Sequence, residues 1–415
     1  MMGQIRGLAT ADLHLGIDNV GGVNEYGLPA RVDDYLAALD QIVDHAVAEK
    51  VDLFILAGDL TKQRNTPQRI VAALFERFQR LIGAGITILL VRGNHDGDSG
   101  EGRANLLDTA GYLSRLMMPI NRPEAFVWEN RVNDKACRIA GIPWPRIGRA
   151  EGRPLDELTR AADESLRVTI RDLCQESHMP QILIGHLAVA GADRASDQWM
   201  TLGYEPLIRP ADFPESLDLV ILGHYHKPGR LDPPLRRAPM FYCGSPVIID
   251  FGEEGQAKRF WYFELDGSRP PGERCTKLEA LPLPGRPFVT VDFEIPASAQ
   301  PSGDIIDGDG LREGRHIDGC VVRLRIKCAT AEQAAALNLN AVAASLREAG
   351  AWWVAGITLD SPRPERRWSA AEGITEQSPQ ELLMRYLSDA EPDETRRGRL
   401  FELAMMEASH DTDAH

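Results

Sequence analysis

Five short stretches hold the side chains of this 415-residue chain that could do chemistry together: Asp12-Leu13-His14, Gly58-Asp59, Gly93-Asn94-His95-Asp96, Gly185-His186 and Gly223-His224-Tyr225-His226. Carboxylate, carboxamide oxygen and imidazole are donors for divalent transition metals. The mixture suits manganese, iron or zinc, whereas an all-oxygen cage would suit magnesium or calcium. The donors suffice for two ions. A pair of ions roughly 3.5–4 Å apart can clamp a phosphoryl group and turn a shared water into a nucleophile, which is the chemistry of phosphoester hydrolysis. Residues two apart on a strand share a face, so Asp12 with His14 are read as chelating one ion, as are His224 with His226 if their segment stays extended. His95 is kept for the leaving group as a proton donor, with Asp96 beside it to orient the imidazole. Singly, each has an ordinary explanation: Asp59 a turn residue, Asn94 an Asx turn, His186 a satisfied buried histidine, His95 a plain ligand.

Their joint placement argues against coincidence. Each stretch ends an apolar run, at 5–11, 51–57, 86–91, 181–184 and 217–222, that reads as a buried strand. Open α/β sheets bind ligands at the carboxyl ends of their strands, so the five loops are expected on one rim. Val32, Leu36, Leu39, Val43 and Val47 recur at helical spacing and predict a helix over 30–49. Thr66-Pro67 opens a second helix, with Thr as N-cap and Pro at the first helical position. The run is β-α-β-α-β. A third helix is expected over 155–175, after a strand at 138–142, and short strands follow at 240–243, 247–251 and 259–265.

Pro and Gly cluster at 267–272 and 282–287, the best place for a domain boundary. Strands at 288–295, 321–327 and 353–359 and a helix at 331–349 make a smaller α/β unit beyond it, with a Gly- and Asp-rich insert at 296–319 read as a mobile loop. Ser378-Pro379-Gln380-Glu381 starts a helix with a capping box, Pro392 ends it, and a last helix runs over 396–406. The fold class is α/β, mixed sheets flanked by helices.

At 43% hydrophobic, the chain is long enough for two or three domains. Residues 1–15 lack a signal-peptide core, and no stretch approaches the roughly 20 apolar residues of a membrane span, so a soluble cytoplasmic protein with no membrane partner is expected. Six cysteines without any Cys-x-x-Cys pair suggest neither a zinc knuckle nor a disulfide framework. A net charge of −15 counts against nucleic-acid binding, because phosphate contacts need clustered Lys and Arg. Residues 376–415, however, hold ten acidic and four basic side chains, so −6 of that charge lies in the tail.

The ordered set of motifs resembles the calcineurin-like metallophosphoesterase superfamily at every ligand position. The resemblance implies a two-sheet sandwich flanked by helices. It also implies one ion held by Asp12, His14, Asp59 and His226 and a second by Asp59, Asn94, His186 and His224, with Asp59 bridging and His95 acting on the transition state and leaving group. Three further features resemble the SbcD branch, the nuclease subunits of DNA double-strand-break repair complexes. They are the segment from Gly244-Ser245-Pro246 through Asp250-Phe251-Gly252-Glu253-Glu254-Gly255, the small unit after residue 286, and the Ser378-Pro379-Gln380-Glu381-Leu382-Leu383 helix. One departure is Thr61-Lys62-Gln63-Arg64, where that branch commonly has Phe-Asp after the second motif.

The resemblance implies a nuclease domain at 1–283, a DNA-contacting cap at 284–372 and a helical tail at 373–415 that binds an SbcC-type coiled-coil ATPase. It also implies a homodimer and manganese-dependent exonuclease and endonuclease action on DNA ends. For DNA contact, Arg323, Arg325 and Lys327 share one strand face, against the plainer reading of a solvated sheet face. Arg363, Arg366, Arg367 and Trp368 form a second basic-aromatic cluster, against an ordinary surface loop. Two other functions stay open: a small-molecule phosphodiesterase or phosphatase on the same centre, which the acidic charge favours, and a non-catalytic scaffold for an ATPase, against which the intact ligands and His95 count.

Overall fold

A computed structural model describes residues 3–17, 20–62, 66–97, 106–145, 154–193, 205–231, 238–298, 316–362, 379–390 and 393–410. Apolar periodicity yields the expected start: β1 (Ile5–Thr10), α1 (Val32–Ala48), β2 (Leu53–Leu56), α2 (Gln68–Gly83) and β3 (Thr87–Val91). Next come α3 (Leu106–Leu113), β4 (Met117–Ile120), β5 (Glu124–Asn130), β6 (Lys135–Ile142), α4 (Leu155–Leu173) and β7 (Gln181–His186). A short pair, β8 (Ala188–Val189) and β9 (Leu207–Ile208), precedes β10 (Leu219–Gly223), β11 (Gly229–Leu231) and β12 (Met240–Tyr242). The hairpin β13 (Arg259–Leu265) and β14 (Cys275–Pro282) completes the body.

Two six-stranded sheets result, ordered β14-β13-β1-β2-β3-β4 and β11-β12-β10-β7-β6-β5. β1 to β4 are parallel neighbours in the first, and β6, β7, β10 and β12 in the second. The strands are apolar on both faces because both are covered. Ala9, Ile55, Leu89, Ile139, Ile184, Ile221 and Phe263 fill the space between the sheets. Leu8, Phe54 and Leu90 pack under α1 and α2, and Leu183, Val220 and Leu222 pack under α4. The layers are therefore helix, sheet, sheet, helix.

A three-stranded parallel sheet, β15 (Phe288–Glu294), β16 (Val321–Lys327) and β17 (Trp353–Asp360), has its own core with α5 (Ala331–Ala336) and α6 (Leu339–Glu348). It belongs to one compact unit with the body, residues 1–328 and 332–360, while 329–331 and 361–415 form a second. The small sheet is fastened by two arginines. Arg31, fully buried, lies over the rings of Tyr35 and Phe288 and donates to the Ile248 and Ile249 carbonyls. Arg286 makes a bidentate pair with Asp34 of α1 and stacks on Trp352. In the second unit α7 (Pro379–Ala390) is followed by α8 (Glu394–His410). Among the described residues no helix is long and apolar enough to cross a membrane.

Several expectations need correction. Residues 247–251 form no strand; a 3-10 turn at Phe251–Glu253 follows, with the Asp250 side chain accepting the Gly252 N–H. The helix expected over 331–349 breaks before Asn338, whose side chain caps α6 by accepting the Ala341 N–H. Pro67 itself is the N-cap of α2, so the helix starts one residue later, at Gln68. The Pro/Gly cluster at 267–272 is the turn of the β13–β14 hairpin, inside the first sheet. Most of the insert, the Arg363-Arg366-Arg367-Trp368 cluster, Gln63-Arg64, Ser378 and Pro392 lie outside the described residues.

Candidate metal centre

The carboxyl ends of β1, β2, β3, β7 and β10 meet where the two sheets abut. Asp12, His14, Asp59 and His224 all have positive φ, at 53°, 43°, 53° and 104°, and they are four of the six such non-glycine residues among those described. Strained backbone of this kind is held only where surrounding structure over-determines it. The loops over-determine each other: Asp12 N–H donates to the Gly58 carbonyl, His14 N–H to the Asp59 carbonyl, and His224 N–H to the Asp12 carboxylate (3.1 Å). Asp12 and His14 therefore share a cluster through left-handed turns, because β1 has already ended and strand alternation no longer applies. His224 and His226 likewise do not stay extended, and they face different partners.

The ligand atoms of Asp12, His14 and His226 lie within 4.8 Å of one another, as do those of Asp12, Asp59 and His186 and those of His14, Asp59 and His95. Asp59 Oδ2 stands between the halves, 3.7 Å from His14 Nε2 and 3.4 Å from His186 Nε2. Asn94 Oδ1 meets His186 Nε2 at 2.9 Å and His224 Nδ1 at 3.3 Å. All seven residues expected as ligands are thus in one pocket.

Acceptors behind the imidazoles fix which nitrogen faces inward. A carbonyl or carboxylate can only accept, so His186 Nδ1–H donates to Ala57 O (2.8 Å), His226 Nδ1–H to Glu253 Oε1 (2.9 Å) and His224 Nε2–H to Glu205 Oε1 (2.6 Å). The rings of His224 and His226 then present a lone pair to the pocket, and His186 does so once Nε2 loses its proton, the arrangement outer carboxylates and carbonyls impose on metal-binding histidines. Sequence reading missed Glu205 and the role of Glu253. Glu253 sat inside a quoted segment, but nothing in its spacing ties it to His226.

His95 and Asp96 part company. His95 Nδ1 meets the Lys62 carbonyl (3.3 Å) and the His95 backbone N–H donates to Asp59 Oδ1 (2.8 Å), while His95 Nε2 is buried with no hydrogen-bond partner. Asp96 does not orient that ring. Its carboxylate is saturated by four backbone N–H groups, those of Gly93 (2.7 Å), Leu60 (2.8 Å), Asp59 (2.9 Å) and Thr61 (3.3 Å), so it holds two loops together instead.

The motif glycines make room. A Cβ on Gly58 (φ 101°) would collide with the His186 imidazole, and one on Gly93 with the Asp59 carboxylate. Trp144 walls the centre, its ring 4.6 Å from that of His224, and also lines a cavity of about 660 Å³ with Arg122, Asn121 and Pro143. The basic stripe on β16 is partnered along the strand. Arg325 pairs with Asp292 (3.0 Å) and Lys327 with Glu294 (3.0 Å), so the register with β15 compensates those two charges, while Arg323 donates to the neutral hydroxyl of Thr290 (2.9 Å).

The electrostatics fit cations. Burial pushes the Asp12 carboxyl up to about 7 and, with Asp59 nearby, that of Asp96 up to about 6. Burial also works against charge on His186, yet the carboxylates of Asp59 and Asp12 outweigh it and hold its pKa up at about 9. His14, mainly through burial, stays well below the usual histidine range. Two carboxylates kept in a pocket with so little water need positive charge, and the inward lone pairs of His224 and His226 accept cations rather than supply charge. The donor set fits two divalent ions: Asp12, His14, Asp59 and His226 on one side, and Asp59, Asn94, His186 and His224 on the other.

A family profile described as calcineurin-like phosphoesterase matches residues 5–228. The DNA double-strand break repair protein Mre11 of Aeropyrum pernix is 26% identical over 293 residues, 69% of this chain and 63% of that protein, so the match spans less than two thirds of that relative. Two SbcD subunits of the SbcCD nuclease are similar: that of Rhodobacter capsulatus, 27% identical over 91% of this chain and 93% of its own length, and that of Bacillus subtilis, 26% identical over 69% and 71%. The profile match runs from the first strand to just past His226, taking in all seven expected ligands, and the chain belongs to the calcineurin-like phosphoesterase family.

Proposed function

We propose that this protein is a dinuclear, manganese-dependent phosphodiesterase acting on DNA ends as exonuclease and endonuclease, the nuclease subunit of a complex with an SbcC-type coiled-coil ATPase. The observation that carries the reading is Asp59, whose carboxylate oxygen sits between His14 and His186 and so serves both halves of the pocket. When bound, two divalent ions supply Lewis acidity to the phosphodiester and its attacking water. The chain's residues supply the rest. Asp12, His14, His226, Asn94, His186 and His224 hold the halves apart at fixed positions, with Asp59 shared. His95 Nδ1–H donates to the Lys62 carbonyl, so Nε2 is the atom left for the leaving oxygen, and it donates there once the ring has taken up a second proton. Trp144 and the cavity beside it give the substrate strand an aromatic wall on which a base can stack.

Support for the DNA substrate and the partner comes from the relatives' names, two of them belonging to a nuclease complex, one matching over 91% of this chain. The helices α7 and α8 are the segment assigned to the ATPase, the small sheet is assigned to the cap, and a second copy of the chain is the remaining partner. Six free cysteines suit a reducing cytoplasm. A second reading, a small-molecule phosphodiesterase, is favoured by the compensated charges on β16. End-labelled duplex DNA and bis(p-nitrophenyl) phosphate, each with manganese and with or without the ATPase, separate the two. Hydrolysis of the small ester with DNA untouched in both conditions would overturn the nuclease reading. A His95→Ala variant as active as the parent would overturn the role of His95.

A further inference from the structure

The turn after the last histidine loop joins two parts of the molecule. Glu253, fully buried, accepts His226 Nδ1–H with one oxygen (2.9 Å) and the Ile249 N–H with the other (2.9 Å), with the Lys258 ammonium 2.7 Å from it. Its neighbour Glu254 reaches the other way. The Glu254 carboxylate accepts the backbone N–H (2.7 Å) and the hydroxyl (2.5 Å) of Thr290 on β15, an edge strand of the small sheet. Phe251, at the start of the turn, packs edge-on against Phe288 of β15 (4.9 Å between centroids) and lies beneath the Arg323 guanidinium (4.3 Å). Arg31 of the body holds the carbonyls of Ile248 and Ile249, so the segment is fixed before the turn by α1 and after it by the small sheet.

Only one peptide unit separates the two carboxylates. Both side chains are anchored at their far ends, so a shift of the backbone at Glu254 is passed to Glu253, the acceptor that sets the ring of His226. A surface attachment would need no such adjacency: Arg286 with Asp34 already fastens the sheet to α1 without touching the centre. We propose that Glu254 and Thr290 are positioning residues through which the small sheet sets the orientation of His226, and so the affinity of the half-site that His226 shares with Asp12 and His14. The inference rests on His226 being a metal ligand.

Manganese titration of the full chain, followed by calorimetry and by electron paramagnetic resonance of free ion, tests it. His226→Ala is expected to lose one of two ions. Glu253→Gln should weaken that same ion by about 10-fold to 100-fold, the usual effect of removing an outer partner. Thr290→Val and Glu254→Gln should weaken it threefold or more while leaving the other ion within twofold, and Thr290→Ser should restore parental binding. Thr290→Val and Glu254→Gln variants that bind both ions as the parent does, or that lose both equally, would overturn the link. If His226→Ala keeps two ions, the ligand assignment itself is what fails.

Discussion

The Nε2 atoms of His14 and His226 face each other at 3.0 Å, and both rings are buried. Glu253 holds the His226 proton on Nδ1, so that ring offers only a lone pair, and the approach is favourable only with a proton or a cation between the two nitrogens. Manganese should therefore stabilise the folded chain strongly. At a concentration 100 times its dissociation constant each site adds about 2.7 kcal/mol. Thermal unfolding in EDTA against manganese should differ by several degrees, and coincident transitions would show that the pocket takes no ion.

Metal uptake should release protons. Near pH 7 His186, with its pKa at about 9, is protonated, and Asp12, at about 7, is half protonated; both must be deprotonated to bind. Affinity then rises with pH through this range, because fewer protons have to leave, and levels off above about 9. Calorimetry in buffers of different ionisation enthalpy should give between one and two protons per chain at pH 7, whereas none would contradict the protonation assigned to His186.

Asp96→Asn replaces an acceptor of four backbone N–H groups with a side chain that accepts at one atom only. The cost expected is about 2–3 kcal/mol, from lost charge-assisted bonds and stranded donors. Urea unfolding reads that loss, and manganese content should fall with it because the loops carrying Asp59 and Asn94 separate. An Asp96→Asn chain of parental stability with a changed proton-transfer step would instead restore a direct role beside His95.

Gly58→Ala puts a methyl group where the His186 imidazole lies, at a backbone angle that L-residues avoid. The variant should fold, since the core strands do not use that side chain, but bind about one manganese ion in place of two. Elemental analysis after desalting measures the ratio, and two ions retained would show that His186 is not a ligand.

Arg325→Ala with Lys327→Ala removes two exposed, internally paired charges. Such pairs are worth about 0–1 kcal/mol, so stability should hardly change. If the strand is a compensated ladder, the salt dependence of DNA binding also stays put, and a slope smaller by about one or two units would return these residues to the DNA-contacting surface.

Periodicity in the chain was enough to locate the strands that end in each motif, the two helices between the first three, and the smaller unit, because burial on one face or both leaves a one-dimensional trace. It did not reveal β4, whose Pro119 interrupts the apolar run, or β14, whose Thr276, Lys277 and Glu279 read as surface. The seven expected ligands were legible as a group from motif order. Their division came only from the family resemblance: strand alternation would put His224 with His226, but at the ends of strands the left-handed turns at Asp12, His14, Asp59 and His224 decide where each side chain goes. Those turns are imposed by bonds between loops up to 212 residues apart, such as His224 N–H to Asp12. Sequence alone determined which chemistry the residues could perform. Only the packing of one sheet against the other decided which atoms meet, moved Asp96 from His95 to the backbone, and set Glu253 behind His226, because such contacts depend on distance in space and leave no period along the chain.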